Sequence, residues 1–259
     1  MSRFCAMVTV LLASCTAGPL DVVENSLWRG LVAHWSLDEA TGTTVTDDSG
    51  KDHHGTLTGG TWIEGKFKGA LHFELGSEVS VLAFPPATEQ WTVALWVRPP
   101  SEDLGATYLT LLSTEVVFHG GWEMNVLLEP NSRLYQFSYY LGPKKSDYYT
   151  HNCACVVGQQ WTHLAAVVDG AAGTLDFYRD GLLDATASMH PATSPAGPRL
   201  ILPGSSTLFM GRFLAPDPEE MPPEFRRFKG DLDDVAIYDR ALSIHEVAAL
   251  AQGPVPPRH

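Results

Sequence analysis

Between Trp161 and Ala187 the chain reads as three short segments joined by two turns, and this stretch limits what it can fold into more than any other. Trp161-Thr162-His163-Leu164-Ala165-Ala166-Val167-Val168 is an apolar, strand-like run that ends in the turn Asp169-Gly170-Ala171-Ala172-Gly173. Thr174 to Arg179 follows, then Asp180-Gly181, then Leu182 to Ala187. Asp-Gly between two such runs signals a hairpin, because both central residues of a tight primed turn need positive φ. Trp91 to Val97 alternates large apolar with smaller residues, the period of a half-buried strand. The same reading predicts strands at 31–37, 70–74, 79–83, 108–113, 122–128, 133–141, 148–157, 207–211 and 231–238. Many short strands separated by turn signals predict an all-β protein, a two-sheet antiparallel sandwich or jelly roll. One short C-terminal helix is expected: Ser243-Ile244-His245-Glu246 is a capping box, and Val247 and Leu250 continue an apolar stripe that ends near Gly253.

Charge narrows the partners. Of 259 residues, Lys and Arg make up 17 and Asp and Glu 30, for a formal charge of −13. Phosphate affinity needs clustered cations, so this balance argues against a nucleic-acid binder and against docking on anionic lipid through a basic face. The N-terminus carries Arg3 and an apolar run, Phe4 to Ala13, too short to span a bilayer. Leu12-Ala13-Ser14-Cys15 resembles the lipobox of bacterial lipoproteins, which implies a signal over 1–14 and lipidation of Cys15. A plain secretory signal cleaved near Ala17 is the other reading. Either one predicts export, and the lipobox would make a lipid anchor the only membrane attachment. Thr16, in place of the aspartate associated with inner-membrane retention, points to the outer membrane. Residues 15–28 are expected to be a tether, 29–253 one domain and 254–259 a Pro-rich tail, since no composition break marks a second domain.

Several blocks, in order, resemble the concanavalin A-like, laminin G-like jelly-roll family. They are Val32 to Glu39 with Thr43 to Gly55, Ala70 to Phe73, Thr92 to Pro99, Trp161 to Gly181, and Phe228 to Tyr238 followed by Arg240-Ala241-Leu242 and Glu246. The resemblance spans about residues 31–252. It implies a concanavalin A-like sandwich, a fold that hosts lectins, glycosidases, adhesion modules and spacers. It also implies a structural Ca2+ at the seam between the first and last blocks, with Asp38 and Asp233 as carboxylate ligands and Asp48 nearby. Calcium takes six to eight oxygens, which two or three acids and loop carbonyls can supply. The same acids could instead cap turns or pair with Arg212 or Arg240.

Other chemistry finds less support. His53 and His54 are adjacent and would point to opposite faces of a strand, a poor zinc chelate. Cys153 and Cys155 share a face, and either a strained disulfide or an unbonded pair fits that spacing. Glycosidases on this fold carry a Glu-x-Asp-x-x-Glu strand, and none occurs here. Glu115 and Glu123 are isolated, and Glu219-Glu220 fall in a Pro-rich loop. Tyr135, Phe137 and Tyr139 read as a core stripe, which leaves Tyr140 and one of Tyr148 and Tyr149 to face outward as a ligand platform. The loop from Leu214 to Arg227 is stiffened by prolines and adds Arg226 and Arg227 to the candidate ligand-binding set. The reading is therefore a non-catalytic surface module of lectin-like or adhesive type, recognising a glycan or a surface protein. A diverged glycoside hydrolase or lyase on the same fold and a purely structural envelope protein are the alternatives.

Overall fold

The computed structural model describes residues 26–101, 104, 107–114, 120–129, 132–140, 148–156, 159–189, 201, 203–213 and 227–256, without the side chains of 129, 132, 133, 148 and 154–156. The signal, most of the tether, the tail beyond 256, Cys15, the loop 214–226 with Arg226, and the side chains of Tyr148 and Cys155 lie outside the described residues.

Sixteen strands form among the described residues. The first six are β1 (Leu31–Trp35), β2 (Thr44–Val45), β3 (Gly55–Thr58), β4 (Thr61–Glu64), β5 (Gly69–Phe73) and β6 (Glu78–Val81). Next come β7 (Gln90–Arg98), β8 (Thr107–Ser113), β9 (Trp122–Glu129), β10 (Ser132–Tyr140) and β11 (Tyr148–Val156). The central hairpins supply β12 (Thr162–Asp169), β13 (Thr174–Arg179) and β14 (Leu182–Ser188). β15 (Leu208–Met210), β16 (Gly230–Tyr238) and the helix α1 (Ile244–Leu250) complete the chain.

The strands make two antiparallel sheets. The first runs β14-β13-β12-β7-β16-β5-β4, with β1 also paired to β16; the second runs β11-β10-β9-β8-β15-β6-β3-β2. This is the expected two-sheet jelly roll. The predicted hairpin is present: Asp180 and Gly181 take φ of 50° and 80°. A Cβ on Gly181 would also meet Ala248 and Ala251 at 3.0 Å, so the turn is glycine for its packing as well as its φ. Three elements were not predicted, β2, β3 and β4. They are two to four residues long, too short to show a period, and the chain passes from the second sheet to the first through Gly59 and Gly60, both at positive φ.

Alternation builds the core. Trp91, Val93, Leu95 and Val97 of β7 enter the space between the sheets, where Trp35, Phe73, Trp122, Phe137 and Phe177 also sit. Tyr135, Phe137 and Tyr139 are fully buried there, as the stripe reading requires. Trp122 stacks on Phe137 with ring centroids 5.8 Å apart. A second apolar cluster lies on the outer face of the first sheet. Ala94, Ala165 and Ala236 are neighbours across β7, β12 and β16, and these small side chains leave room for Val247 and Leu250 of α1.

The capping box forms as expected, and Glu246 also ties the two ends of the domain together. Its carboxylate accepts from Ser26 Oγ at 2.6 Å, Arg240 Nη2 at 2.7 Å and the Ser243 amide at 2.9 Å. Burial opposes its ionisation, but hydrogen bonds from Arg240, Ser26 and Ser243 outweigh it and hold the carboxyl at about 2 instead of the ordinary 4.5. A carboxyl held low contributes stability that is complete above the ordinary value and is lost as pH falls toward the folded one. Glu246→Gln should therefore cost about 2 kcal/mol near neutral pH, and the cost should shrink on acidification from 4.5 toward 2. Urea unfolding of both proteins across that range checks it; equal sensitivity to acid would contradict the assignment.

Candidate functional site

The sequence-predicted metal residues converge. Asp38, Asp48 and Asp233 line one cavity of about 470 Å³, together with Asp234, His34, Lys68, Trp28 and Phe67. Strict alternation would turn Asp233 and Asp234 to opposite faces, yet both line it. The reason is a bulge in β16 between Asp233 and Ala236, where Asp234 takes φ of 48°. Asp234 is then occupied by His34, whose Nε2 lies 2.6 Å from its Oδ1, both side chains buried.

Asp233 and Asp38 clamp the loop that joins β4 to β5. Asp233 Oδ2 accepts from the amides of Lys66 at 2.8 Å and Phe67 at 2.9 Å, and Asp38 Oδ1 accepts from Gly69 at 2.7 Å. The loop is tight enough that a Cβ at Gly65 would strike the Gly69 carbonyl, and one at Gly69 would lie 2.8 Å from the Leu37 oxygen. Asp233 Oδ1 is buried with no hydrogen-bond partner. Burial pushes this carboxyl up to about 7; the Phe67 and Lys66 amides pull it down, and the negative charges of Asp234 and Asp38 push it up. A buried carboxylate oxygen with no donor, next to other carboxylates, suits a hard cation. Lys68 reaches Asp38 Oδ2 at 3.4 Å but is 84% exposed and makes no bond to Asp233. No three His, Cys, Asp or Glu side chains among the described residues gather closely enough to hold a metal alone. Any calcium here would need backbone carbonyls and water to complete its shell.

Neighbouring Asp47 has a different task. It accepts from the His34, Ser49 and His53 amides and from Ser49 Oγ, all within 3.0 Å, which organises the Asp-Asp-Ser-Gly turn. His53 and His54 serve the same turn. The His53 carbonyl accepts from Trp35 Nε1, and His54 Nδ1 accepts from the Asp47 amide.

The outer face of the second sheet carries a site that the sequence reading did not single out. Register places Thr110, Asn125, Gln136 and Asn152 side by side across β8, β9, β10 and β11. Ser113, Glu123, Ser138 and Thr150 form a parallel row on the same strands. Gln136 Nε2 donates to Asn152 Oδ1 at 2.7 Å, and the Ser138 and Thr150 hydroxyls lie 3.1 Å apart. Asn125 is fully buried, and neither its amide nitrogen nor its carbonyl oxygen finds a partner; Thr110 Oγ1 is in the same state. Asn152 and Thr150 are exposed, so the rows run from a buried centre to an open edge at β11. The signal was available. Polar residues alternate with Trp122, Met124 and Val126, and with Tyr135, Phe137 and Tyr139, which places them together opposite the core.

The aromatic platform is corrected. Tyr140 shares the face of Ser138 and Gln136 but is only 1% exposed, so its ring offers no outward surface. Tyr149 turns the other way and packs against Tyr139, ring centroids 5.9 Å apart, because β11 sends Tyr149, His151 and Cys153 toward the core side. Arg227 is no free cation either; it pairs with Glu78 Oε2 at 3.5 Å beside Arg212 at 2.8 Å. Arg212 and Arg240, raised as partners for the metal acids, are spent on Glu78 and Glu246. Cys153 is disulfide-bonded, so it is not the unbonded thiol of the alternative reading.

Residues 74–248 match the family described as the concanavalin A-like lectin/glucanases superfamily. No curated protein sequence matches the chain. Among solved structures it resembles domain 4 of AbnA, an extracellular arabinanase from Geobacillus stearothermophilus, in complex with arabinotriose. The TM-score is 0.62 at 23% identity, over 86% of this chain and 98% of that one. It also resembles the binding domain of Paraclostridial Mosquitocidal Protein 1, with TM-score 0.63 and 16% identity over 88% of this chain. The ligand binding domain of botulinum neurotoxin serotype D, in complex with N-acetylneuraminic acid, gives TM-score 0.63 and 12% identity over 89% of this chain. This chain covers about half the length of each toxin domain, 52% in both cases.

Proposed function

The chain belongs to the concanavalin A-like lectin/glucanases superfamily, and from that premise we propose that it is a non-catalytic module that binds a glycan on the outer face of its second sheet. The observation that carries this reading is Asn125. Each buried polar group left without a partner costs about 1–3 kcal/mol, and Asn125 holds a donor and an acceptor in that state within a row of amides and hydroxyls. Such a row suits sugar hydroxyls. A protein partner would call for the aromatic and arginine anchors typical of interface centres, and Tyr140 and Arg227 are already engaged in burial and ion pairing. The exposed edge at Asn152 and Thr150 is the proposed entrance.

Glycoside hydrolysis needs two carboxylates about 5–10 Å apart, one of them an acid. Among the described side chains of this face the carboxylates are Glu123 and Glu78, and Glu78 is neutralised by two arginines. The sugar-bound relative, AbnA domain 4, supports the same reading. Titration with arabino- and sialyl-oligosaccharides should give saturable binding that weakens about tenfold in Gln136→Ala or Asn152→Ala, the loss expected for one hydrogen bond to a ligand. Reducing ends released by the wild type but not by Glu123→Gln would replace this reading with the hydrolase.

Calcium at Asp38 and Asp233, with Asp48 at the rim, is proposed as a structural ion that joins the first and last blocks. It would supply charge to the orphaned Asp233 oxygen. Binding to the folded state alone raises stability by RT ln(1 + [L]/Kd), about 2.7 kcal/mol at a hundredfold excess. Millimolar calcium should raise the unfolding temperature relative to EGTA, and Asp233→Asn should abolish the rise. No shift in the wild type removes the ion from the account.

For location we propose export and lipid anchoring through Cys15 to the outer membrane, on the strength of Leu12-Ala13-Ser14-Cys15 and Thr16. No helix among the described residues is long and apolar enough to cross a membrane. Metabolic labelling with a fatty acid should mark the wild type, and label retained in Cys15→Ser would exclude the anchor.

A further inference from the structure

The acidic cavity beside β16 offers more space than a single ion fills. Its volume is about 470 Å³, and the carboxylates of Asp38, Asp48, Asp233 and Asp234 lie on its wall. Calcium takes six to eight oxygens, yet no three carboxylate or imidazole side chains among the described residues gather around one point. An ammonium asks for less: its three N–H donors need only two or three acceptors, and the chain that carries it is apolar.

Three features suit the cavity to such a group. First, an acceptor is left over. Asp233 is fully buried and its Oδ1 has no donor, while Oδ2 is taken by the Lys66 and Phe67 amides. A buried charge left in that state is costly until a cation or donor meets it. Second, the charges on the wall do not cancel. Four carboxylates face two cations, Lys68 and His34, even when His34 is charged. His34 pairs with Asp234 and Lys68 with Asp38, and among the described residues neither Asp48 nor Asp233 has an ion-pair partner. Lys66 is not part of the wall; its ammonium lies over the Trp96 ring, 4.3 Å from the centroid, and 6.0 Å from that of Phe67. Lys68 already brings an ammonium to Asp38 Oδ2, at 3.4 Å, but from a side chain 84% exposed, so a better-seated amine can replace it. Third, past the acids the wall turns apolar. Phe67 and Pro256 are half-buried and Pro254 is exposed, so each keeps surface that a ligand can cover. Ser36 supplies the one hydroxyl among the described residues of the wall, which suits a carbon chain better than a sugar.

We propose that this cavity binds a primary alkylammonium group, with the nitrogen against Asp233 and Asp38 and the carbon chain along Phe67, Pro254 and Pro256. The ammonium and calcium would compete for the same oxygen, and neither depends on the glycan face of the other sheet. A lysine side chain of a partner protein and a free diamine share this chemistry.

The full chain is titrated by calorimetry in EGTA at mildly alkaline pH, above the value of about 7 to which burial raises Asp233. The probe n-butylammonium should bind saturably and methylammonium at least about tenfold more weakly, since each buried methylene is worth about fourfold. Asp233→Asn should abolish binding. Because that change also touches the loop clamp, Lys68→Gln is the second variant: removing the exposed competing cation should tighten n-butylammonium by about two- to fivefold, a gain that no loss of structure produces. Acetyl-lysine methylamide and diaminobutane then separate the two sources by which of them binds more tightly. No binding of n-butylammonium overturns the proposal, equal affinity for methylammonium overturns the apolar wall, and glucosamine binding as tightly overturns the carbon chain. No tightening in Lys68→Gln overturns the acidic end as the partner of the ammonium. With calcium absent throughout, a failed titration leaves the calcium reading untouched, and a failed calcium shift leaves this one untouched.

Discussion

The fold depends on where its last strand goes. β16 inserts between β5 and β7 and also pairs with β1, so segments about 200 residues apart in the chain meet along a strand buried at every position. Such pairing is non-local: its chain-closure entropy must be met before the contacts form, which makes sandwiches of this kind slow to fold. The interactions around β16 offset that cost. The core residues Leu232, Val235 and Ile237 enter the inter-sheet space, Ala236 and Tyr238 meet α1 on the other side, and Glu246 with Arg240 fastens the strand's exit to Ser26. Neither face of β16 is left to solvent.

The acidic cavity follows from the same strand. A regular β16 would bury one of Asp233 and Asp234 in the core and leave the other outside. The bulge moves both to the outer side, where His34 takes one and the loop amides take half of the other. The irregular residue is thus where backbone pairing yields to chemistry, as bulges near functional sites commonly do. Asp231 sits two residues earlier on the same strand, paired with His72 of β5 on one side and Arg98 of β7 on the other, so both charged clusters of the first sheet are organised by β16.

The second sheet shows how far alternation can be read and where it stops. Trp122, Met124, Tyr135, Phe137 and Tyr139 marked the core face in the sequence, and that assignment alone sends Glu123, Asn125, Gln136 and Ser138 to the other side. What alternation cannot supply is register. Only the pairing of β8, β9, β10 and β11 brings Thr110, Asn125, Gln136 and Asn152 into one row. Nor does it report depth: Tyr140 faces away from the core as the pattern demands, yet it is buried where it stands. The choice between Tyr148 and Tyr149 stayed open in the sequence for a related reason. Two adjacent tyrosines satisfy either phase of a strand, and only the pairing with β10 decides which one meets Tyr139.

The sequence by itself determined the all-β class, the boundaries of most strands, the Asp180-Gly181 hairpin, the capped helix and the core stripe. Each depends on residues close together in the chain, where φ preference, side-chain alternation and capping act locally. It also marked Asp38, Asp48 and Asp233 through the resemblance of the first and last blocks. Tertiary structure alone decided that these acids share a cavity with Asp234, that Asp233 keeps an oxygen without a donor, and that Arg227 is consumed by Glu78. It alone lined up the amides of the second sheet and set Arg98 between Asp231 and Trp161. These are properties of register, bulge and burial, and they arise from contacts between segments whose separation in the chain leaves no local trace.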